Sequence, residues 1–568
     1  MSKIDDWDVN ATKKTKYAVK RASHINSTTK VRGSVPLMSP SPMIMKSTKI
    51  GLAVGGAKDT DNFIENIKQE YLPKLDAITY EGTYYQHYFE TGLTGECKSL
   101  FCPSYTKAMK RDLYTDEKSY YLNVGLNSGI EESDFKRKKL NLVVVLDISG
   151  SMGGRFNKYY YDKKNRSHSE SESKSKMQIA NEAIVAMVNH LNPEDSLGVV
   201  LFDNNAYRVK TLRKVKYTKM DAIKEHILAL KEQGGTNWSA GYKAGLKYFD
   251  TVEKEGYENR LIFITDAMPN RGELKKDGLF GLAKSASEKG IYTTFIGVGV
   301  DFNVNLVEYV SKTRGANYYS VHSSKEFKQR MDSEFDFMVT PLVYDLELKL
   351  ESEGYKIDAV YGSPQAKLAT GSVMYVNTLF PSANDGKRSK GGVILLRLKK
   401  VGHQEDITLN VKYKDTKGKT FHTMQKVNFS DIKDSEDNVY DNNGIAKAIL
   451  LADYVTLMKN WIIDARAGCN DRVEYLKQPI NMLKKRCMVY PPDRPIYHSV
   501  KTWERKSCKL KVSDGYKKIL SLFQRVYGEE MKRLGDKSLN EEFKILKLLL
   551  DKKNLNENDK EKKDDWNF

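Results

Sequence analysis

Cysteine is scarce in this chain, with five residues among 568. That is too few for a disulfide scaffold in a protein of this length. Cys97 and Cys102 have four residues between them, with no second pair at metal-ligand spacing. All five are expected as free thiols in a reducing compartment. Long hydrophobic runs are missing too. No uninterrupted apolar stretch approaches the roughly 18 residues that argue for a membrane span. The most apolar helical pattern, near Ala446 to Ile463, is broken by Lys447, Asp453, Lys459 and Asn460. No membrane span is expected. Met1 to Trp7 lacks the apolar centre of a signal peptide, so a cytoplasmic location is expected.

Several motifs are absent as well. In Gly51-Leu52-Ala53-Val54-Gly55-Gly56-Ala57-Lys58, Ala57 stands where a phosphate loop needs its Lys, and Asp59 close by would repel phosphate. The stretch is read as a glycine-rich turn. Asp301-Phe302-Asn303-Val304-Asn305 begins like a calcium loop, but Leu306 and Lys312 occupy the positions that need Gly and Glu. It is read as a helix start. The zinc-protease signature H-E-x-x-H does not occur. Acidic residues disappear between Val9 and Lys58 while Lys13, Lys14, Lys16, Lys20, Arg21, Lys30 and Arg32 crowd the first half. Residues 1–48 are expected to be a disordered basic arm, unable to bury enough apolar surface to offset its ordering entropy. The net charge of +19 is spread widely with no nucleic-acid motif beside it. No specific nucleic-acid partner is expected.

What is present centres on Leu142-Val143-Val144-Val145-Leu146-Asp147-Ile148-Ser149-Gly150-Ser151. The Val-rich run reads as a strand buried on both faces, as in parallel sheets. It ends in one carboxylate and two hydroxyls, at the end of the strand where open α/β sheets bind ligands. Oxygen-only donors suit a hard cation such as Mg²⁺. Gly234-Gly235-Thr236-Asn237 precedes a helical pattern, and Leu261-Ile262-Phe263-Ile264-Thr265-Asp266 is a second buried strand ending in Asp.

These three segments, in this order, resemble the metal-ion-dependent adhesion site of von Willebrand factor A (vWA) domains. The resemblance carries metal-ligand roles onto Asp147, Ser149, Ser151, Thr236 and Asp266. It implies a Mg²⁺ ion, with Mn²⁺ or Ca²⁺ as alternatives, completed by a Glu or Asp carboxylate from a partner protein. The expected function is a metal-dependent protein-interaction module and not an enzyme. A metal-assisted hydrolase using Asp147 or Asp266 as base, and a scaffold with an idle site, stay open beside it.

The alternation of strands and helices across residues 139–338 matches a doubly wound, mostly parallel α/β sheet. A Ser-rich segment, Gly153 to Lys174, interrupts it beside the metal loop. Residues 49–138 read as a helix and strands that partly complete a β-sandwich, expected mainly over 339–430. There Leu342 to Leu350 alternates cleanly. The strand near Tyr120 is expected to pair with strands beyond Pro341. Residues 440–552 read as helical, with Ser538-Leu539-Asn540-Glu541 as a capping box for the last helix. Residues 553–568 are expected to fray. The wider layout resembles inter-alpha-trypsin-inhibitor heavy chains and bacterial vWA proteins, without the Asp-Pro-His signature of the secreted heavy chains.

Overall fold

Alternation within one apolar run fixes the centre of the molecule. In the strand Lys139–Asp147, Leu142, Val144 and Leu146 enter one hydrophobic core, while Val143 and Val145 enter another. Successive side chains of a strand point to opposite faces, so both faces must be covered. The computed structural model describes residues 3–11, 49–111, 117–160, 174–266, 276–302, 312–321, 323–365, 373–432, 438–466 and 507–552.

The central strand lies in a seven-stranded sheet. It runs parallel to Ser196–Phe202 on one side and Tyr257–Thr265 on the other. Ile291–Val298, Asn317–Val321 and the short Gly56–Ala57 extend the parallel part. Ala206–Lys214 closes the other edge in antiparallel fashion. Helices Lys176–Val188, Met220–Leu228 and Ser324–Val339 contribute to the core under one face. Trp238–Leu246 and Lys276–Glu288 contribute to the core under the other. This part of the chain is a doubly wound α/β domain.

The second sheet has ten strands and is antiparallel. Its longest strand, Lys118–Glu131, pairs with Val393–Lys400, with Leu122 opposite Leu396 and Val124 opposite Ile394. The same strand pairs with Cys102–Arg111 and Lys49–Val54. The sheet folds over a single core, where Phe101 meets Tyr413 edge-on and Tyr120 meets both Tyr355 and Phe429. Residues 339–430 are therefore not a self-contained sandwich. Strands on both sides of the α/β domain build one sheet.

The step between the sheets falls at Gly55 and Gly56. Gly55 N–H donates to Thr378 O of the antiparallel sheet, and Gly56 N–H donates to Ala316 O beside the parallel one. Gly56 has φ +106°, a backbone that favours glycine. The expected turn over residues 51–58 is thus corrected: Lys49–Val54 is a strand. Its glycine has a packing reason, since a Cβ on Gly51 would lie 2.8 Å from Ser382 Oγ.

Other expectations also change. Residues 3–11 are not part of a disordered arm. Asp6 accepts from Thr211 Oγ1 at 2.6 Å and pairs with the buried Lys210, and Trp7 stacks on His226. The remainder of the arm, 12–48, lies outside the described residues, as do 161–173 of the Ser-rich segment, 303–311 of the expected helix start, 467–506 and the tail 553–568. The free-thiol expectation fails for Cys97 and Cys102, which form a disulfide with Cα atoms 5.8 Å apart. The loop between them folds back so that Gly129 N–H donates to Ser99 O. Cys508 is also disulfide-bonded. The thiol premise behind a reducing compartment therefore does not hold. Among the described residues no helix is long and apolar enough to cross a membrane.

Helices Asn443–Arg466, Asp514–Leu534 and Asn540–Asp551 pack over the N-terminal segment. Ser538 does not cap the last of them. Its Oγ instead accepts from Lys447 Nζ at 3.1 Å and lies 2.9 Å from His87 Nδ1, while His87 Nε2 reaches Glu542 at 2.9 Å. A polar contact to the buried His87 and Lys447 replaces the cap that the local sequence offers.

Candidate functional site

Three adjacent parallel strands end level with one another, which brings their following residues together. Leu146 sits opposite Ile264, and Asp147 opposite Phe202. Asp147, Asp203 and Asp266 therefore share one edge of the sheet, and all three are buried. Asp147 accepts from Ser149 N–H at 2.8 Å and from Thr265 Oγ1 at 2.6 Å. Both of its oxygens are held, one by its own loop and one by the neighbouring strand.

The two loop hydroxyls continue the array. Ser149 Oγ lies 3.1 Å from Ser151 Oγ, and Ser151 Oγ donates to Asp266 Oδ1 at 3.1 Å. The loop holding Thr236 is stitched to the same place. Gly150 N–H donates to Gly234 O, and Gln233 N–H donates to Ile148 O. Gly234 has φ +70°, and a Cβ there would lie 2.9 Å from Asp203 Oδ2. Asn237 caps the helix that follows by accepting from Ala240 N–H. Thr236 is buried between these contacts. The structure thus gathers Asp147, Ser149, Ser151 and Asp266 through direct contacts or shared strand ends, and brings the Thr236 loop against them.

Two charged residues at the site were not anticipated. Lys176 is 0% exposed, and its Nζ lies 3.0 Å from Asp266 Oδ2 and 2.6 Å from Asp301 Oδ1. Asp301 Oδ2 in turn accepts from Tyr160 N–H at 3.0 Å. The signal for Lys176 was its position directly after the N-cap Ser175, which forms a capping box with Gln178. The Ser-rich segment separates it from the Asp147 loop in sequence and hides that adjacency. Asp301 was visible only as part of a rejected calcium motif.

Electrostatics follow from crowding. Burial first, then the charge of Asp266, pushes the Asp147 carboxyl above the usual carboxylate range. Burial raises Asp266 as well, with Lys176 opposing and Asp301 adding to the rise. Such a cluster is short of positive charge. Its donors are all oxygens, which fits a hard divalent cation and offers nothing to a soft one. Among the described residues no group of three or more His, Cys, Asp or Glu side chains is arranged to hold a metal ion. A metal here would depend on the hydroxyls.

Comparison with known proteins supplies the family. The von Willebrand factor type A domain family matches residues 142–269. Inter-alpha-trypsin inhibitor heavy chain H1 of Mesocricetus auratus is 23% identical over 215 residues, covering 37% of this chain and 21% of that protein. An uncharacterized protein of Synechocystis is 25% identical over 219 residues, covering 37% of this chain and 46% of that protein. The matches thus span less than half of these relatives. A von Willebrand factor type A structure from Catenulispora acidiphila aligns with a TM-score of 0.42 at 14% identity, over 67% of this chain and 84% of that one. Residues 142–269 of this chain are a von Willebrand factor type A domain, a fold typical of protein-interaction and adhesion modules.

Proposed function

We propose that this domain binds a partner protein through a divalent cation held by Asp147, Ser149, Ser151, Thr236 and Asp266. The observation that carries the reading is the run of oxygens from Ser149 through Ser151 to Asp266, with 3.1 Å at each step, beside the buried Asp147. Bound there, Mg²⁺, or Mn²⁺ or Ca²⁺ in its place, would supply an electrophilic centre for an oxygen ligand from outside. The chain's own residues prepare that encounter. Asp147 is fixed by Ser149 N–H and Thr265 Oγ1, so both of its oxygens are held in place beside the loop hydroxyls. Ser149 and Ser151 contribute neutral oxygens, which leaves positive charge to attract an acidic side chain. The ligand is accordingly a Glu or Asp carboxylate on the partner surface.

Calorimetry with Mg²⁺ on the full chain tests this. Wild type is expected to bind, and Asp147→Ala to lose binding while keeping its circular dichroism spectrum. Equal Mg²⁺ affinity in the two proteins would reject the ligand assignment. Once a partner is in hand, Glu→Gln changes on its surface should match the effect of EDTA.

A further inference from the structure

We infer that Lys176 is a positioning residue that shares the site's carboxylates with the cation: it stabilises the metal-free protein and holds down the affinity for metal. The inference rests on the metal reading above and adds a residue that the resemblance does not assign. Asp266 is divided between two partners. Its Oδ2 faces the Lys176 ammonium at 3.0 Å, which leaves Oδ1 turned to Ser151 Oγ. Lys176 thereby sets which oxygen of Asp266 is presented to the hydroxyl run. Its other contact, Asp301, is buried and bonded to Tyr160 N–H at the root of the Ser-rich segment.

The backbone is built to admit this side chain. Lys176 is the first residue of its helix, and helical side chains lean toward the N-terminus. Its own N–H donates to Gly154 O, and Arg155 bridges Ser175, so the helix start is clamped beneath the metal loop. Gly299, with φ +93°, lies alongside. A Cβ there would come within 2.7 Å of Lys176 Cε.

Two consequences of opposite sign follow. A buried carboxylate pair that loses its ammonium is left uncompensated, which destabilises the empty site. The same ammonium repels an incoming dication and occupies the carboxylates that would attract it, so its loss strengthens cation binding. A residue that merely braced the loops would lower both quantities when removed.

The test uses the full chain, with Mg²⁺ as the probe. Lys176→Met is expected to melt at a lower temperature than wild type in EDTA, yet to bind Mg²⁺ about tenfold more tightly by calorimetry. Its thermal shift on adding Mg²⁺ should exceed that of wild type. Lys176→Arg, which keeps the charge, should stay near wild type in both. Asp301→Asn is the second variant, in case Lys176→Met does not fold. It frees the ammonium for Asp266 and should weaken Mg²⁺ binding about tenfold. Lys176→Met with equal or weaker affinity than wild type would overturn the inference, as would Asp301→Asn with equal or tighter affinity. If wild type itself binds no Mg²⁺, the metal reading falls and this inference with it. If wild type binds and only the variants depart from expectation, this inference alone fails.

Discussion

Replacing Lys58 by Met should stabilise the protein at neutral pH and remove part of its alkaline pH dependence. Lys58 follows the step between the two sheets and is 2% exposed. Its Nζ donates to Val54 O at 2.6 Å and lies over the rings of Tyr85 and Phe380, at 4.4 and 5.1 Å. Burial lowers its pKa from 10.5 to about 7, with Glu334 and Glu81 pulling it up and Lys390 pushing it down. Between those two values the unfolded chain binds the proton and the folded one does not. Stability therefore rises with pH from about 7 to about 10.5, and the cost of keeping the charge buried is fully present below 7. The difference corresponds to at most about 5 kcal/mol. Losing the Val54 bond and the ring contacts offsets about 1–2 kcal/mol of that. A net gain of about 2–4 kcal/mol is expected for Lys58→Met at pH 6.5, fading to a net loss near pH 10. Scanning fluorimetry of wild type and variant side by side cancels the titration of other groups, including the tyrosines. A melting difference that stays constant between pH 6.5 and 10 would refute the reasoning.

Arg137→Met should cost about 3–5 kcal/mol, because the buried Asp195 would lose the two guanidinium bonds it now accepts at 2.9 and 2.5 Å; urea unfolding followed by circular dichroism would measure it. Trp7→Ala should release the first residues from the Ala206–Lys214 edge, at a cost of about 1–2 kcal/mol, and amide exchange at Asp8, whose N–H donates to Val209 O, should quicken. Unreduced, denatured protein should show no free thiol at Cys97 or Cys102 by alkylation and peptide mass, whereas pretreatment with reductant should expose both. Alkylation of both without reductant would restore the free-thiol reading.

The α/β domain was legible because its signals are short-range and redundant. A Val-rich run with both faces buried, a carboxylate at its end and helices between strands all point one way, and the Asp147 loop sits where that pattern puts it. Apart from the Cys97–Cys102 pair, the misreadings share one cause: a partner distant in sequence overrides a local preference. Gly51 signals a turn until Ser382 and Ser389 are seen to fill the space that a side chain would take. Ser538 has the local pattern of a cap, yet spends its hydroxyl on Lys447 and His87. Asp6 and Trp7 look solvated until the edge strand with Lys210 and the helix with His226 are placed beside them. Lys176 is the case at the candidate site. Its two acidic partners lie 90 residues away and further along the chain, so no periodicity could have flagged it.

The shared antiparallel sheet also sets a schedule for synthesis. Lys118–Glu131 has its partner Val393–Lys400 about 260 residues downstream. At about 5–20 residues per second a ribosome needs roughly 13–50 s to bridge that interval. Within it the whole α/β domain, ending at Val339, emerges and can close. The nascent chain meanwhile carries Leu122, Val124 and Leu126 without the strand that will cover them. A ribosome paused shortly before residue 393 would hold a closed α/β domain beside an open hydrophobic edge, a stage at which a chaperone would matter.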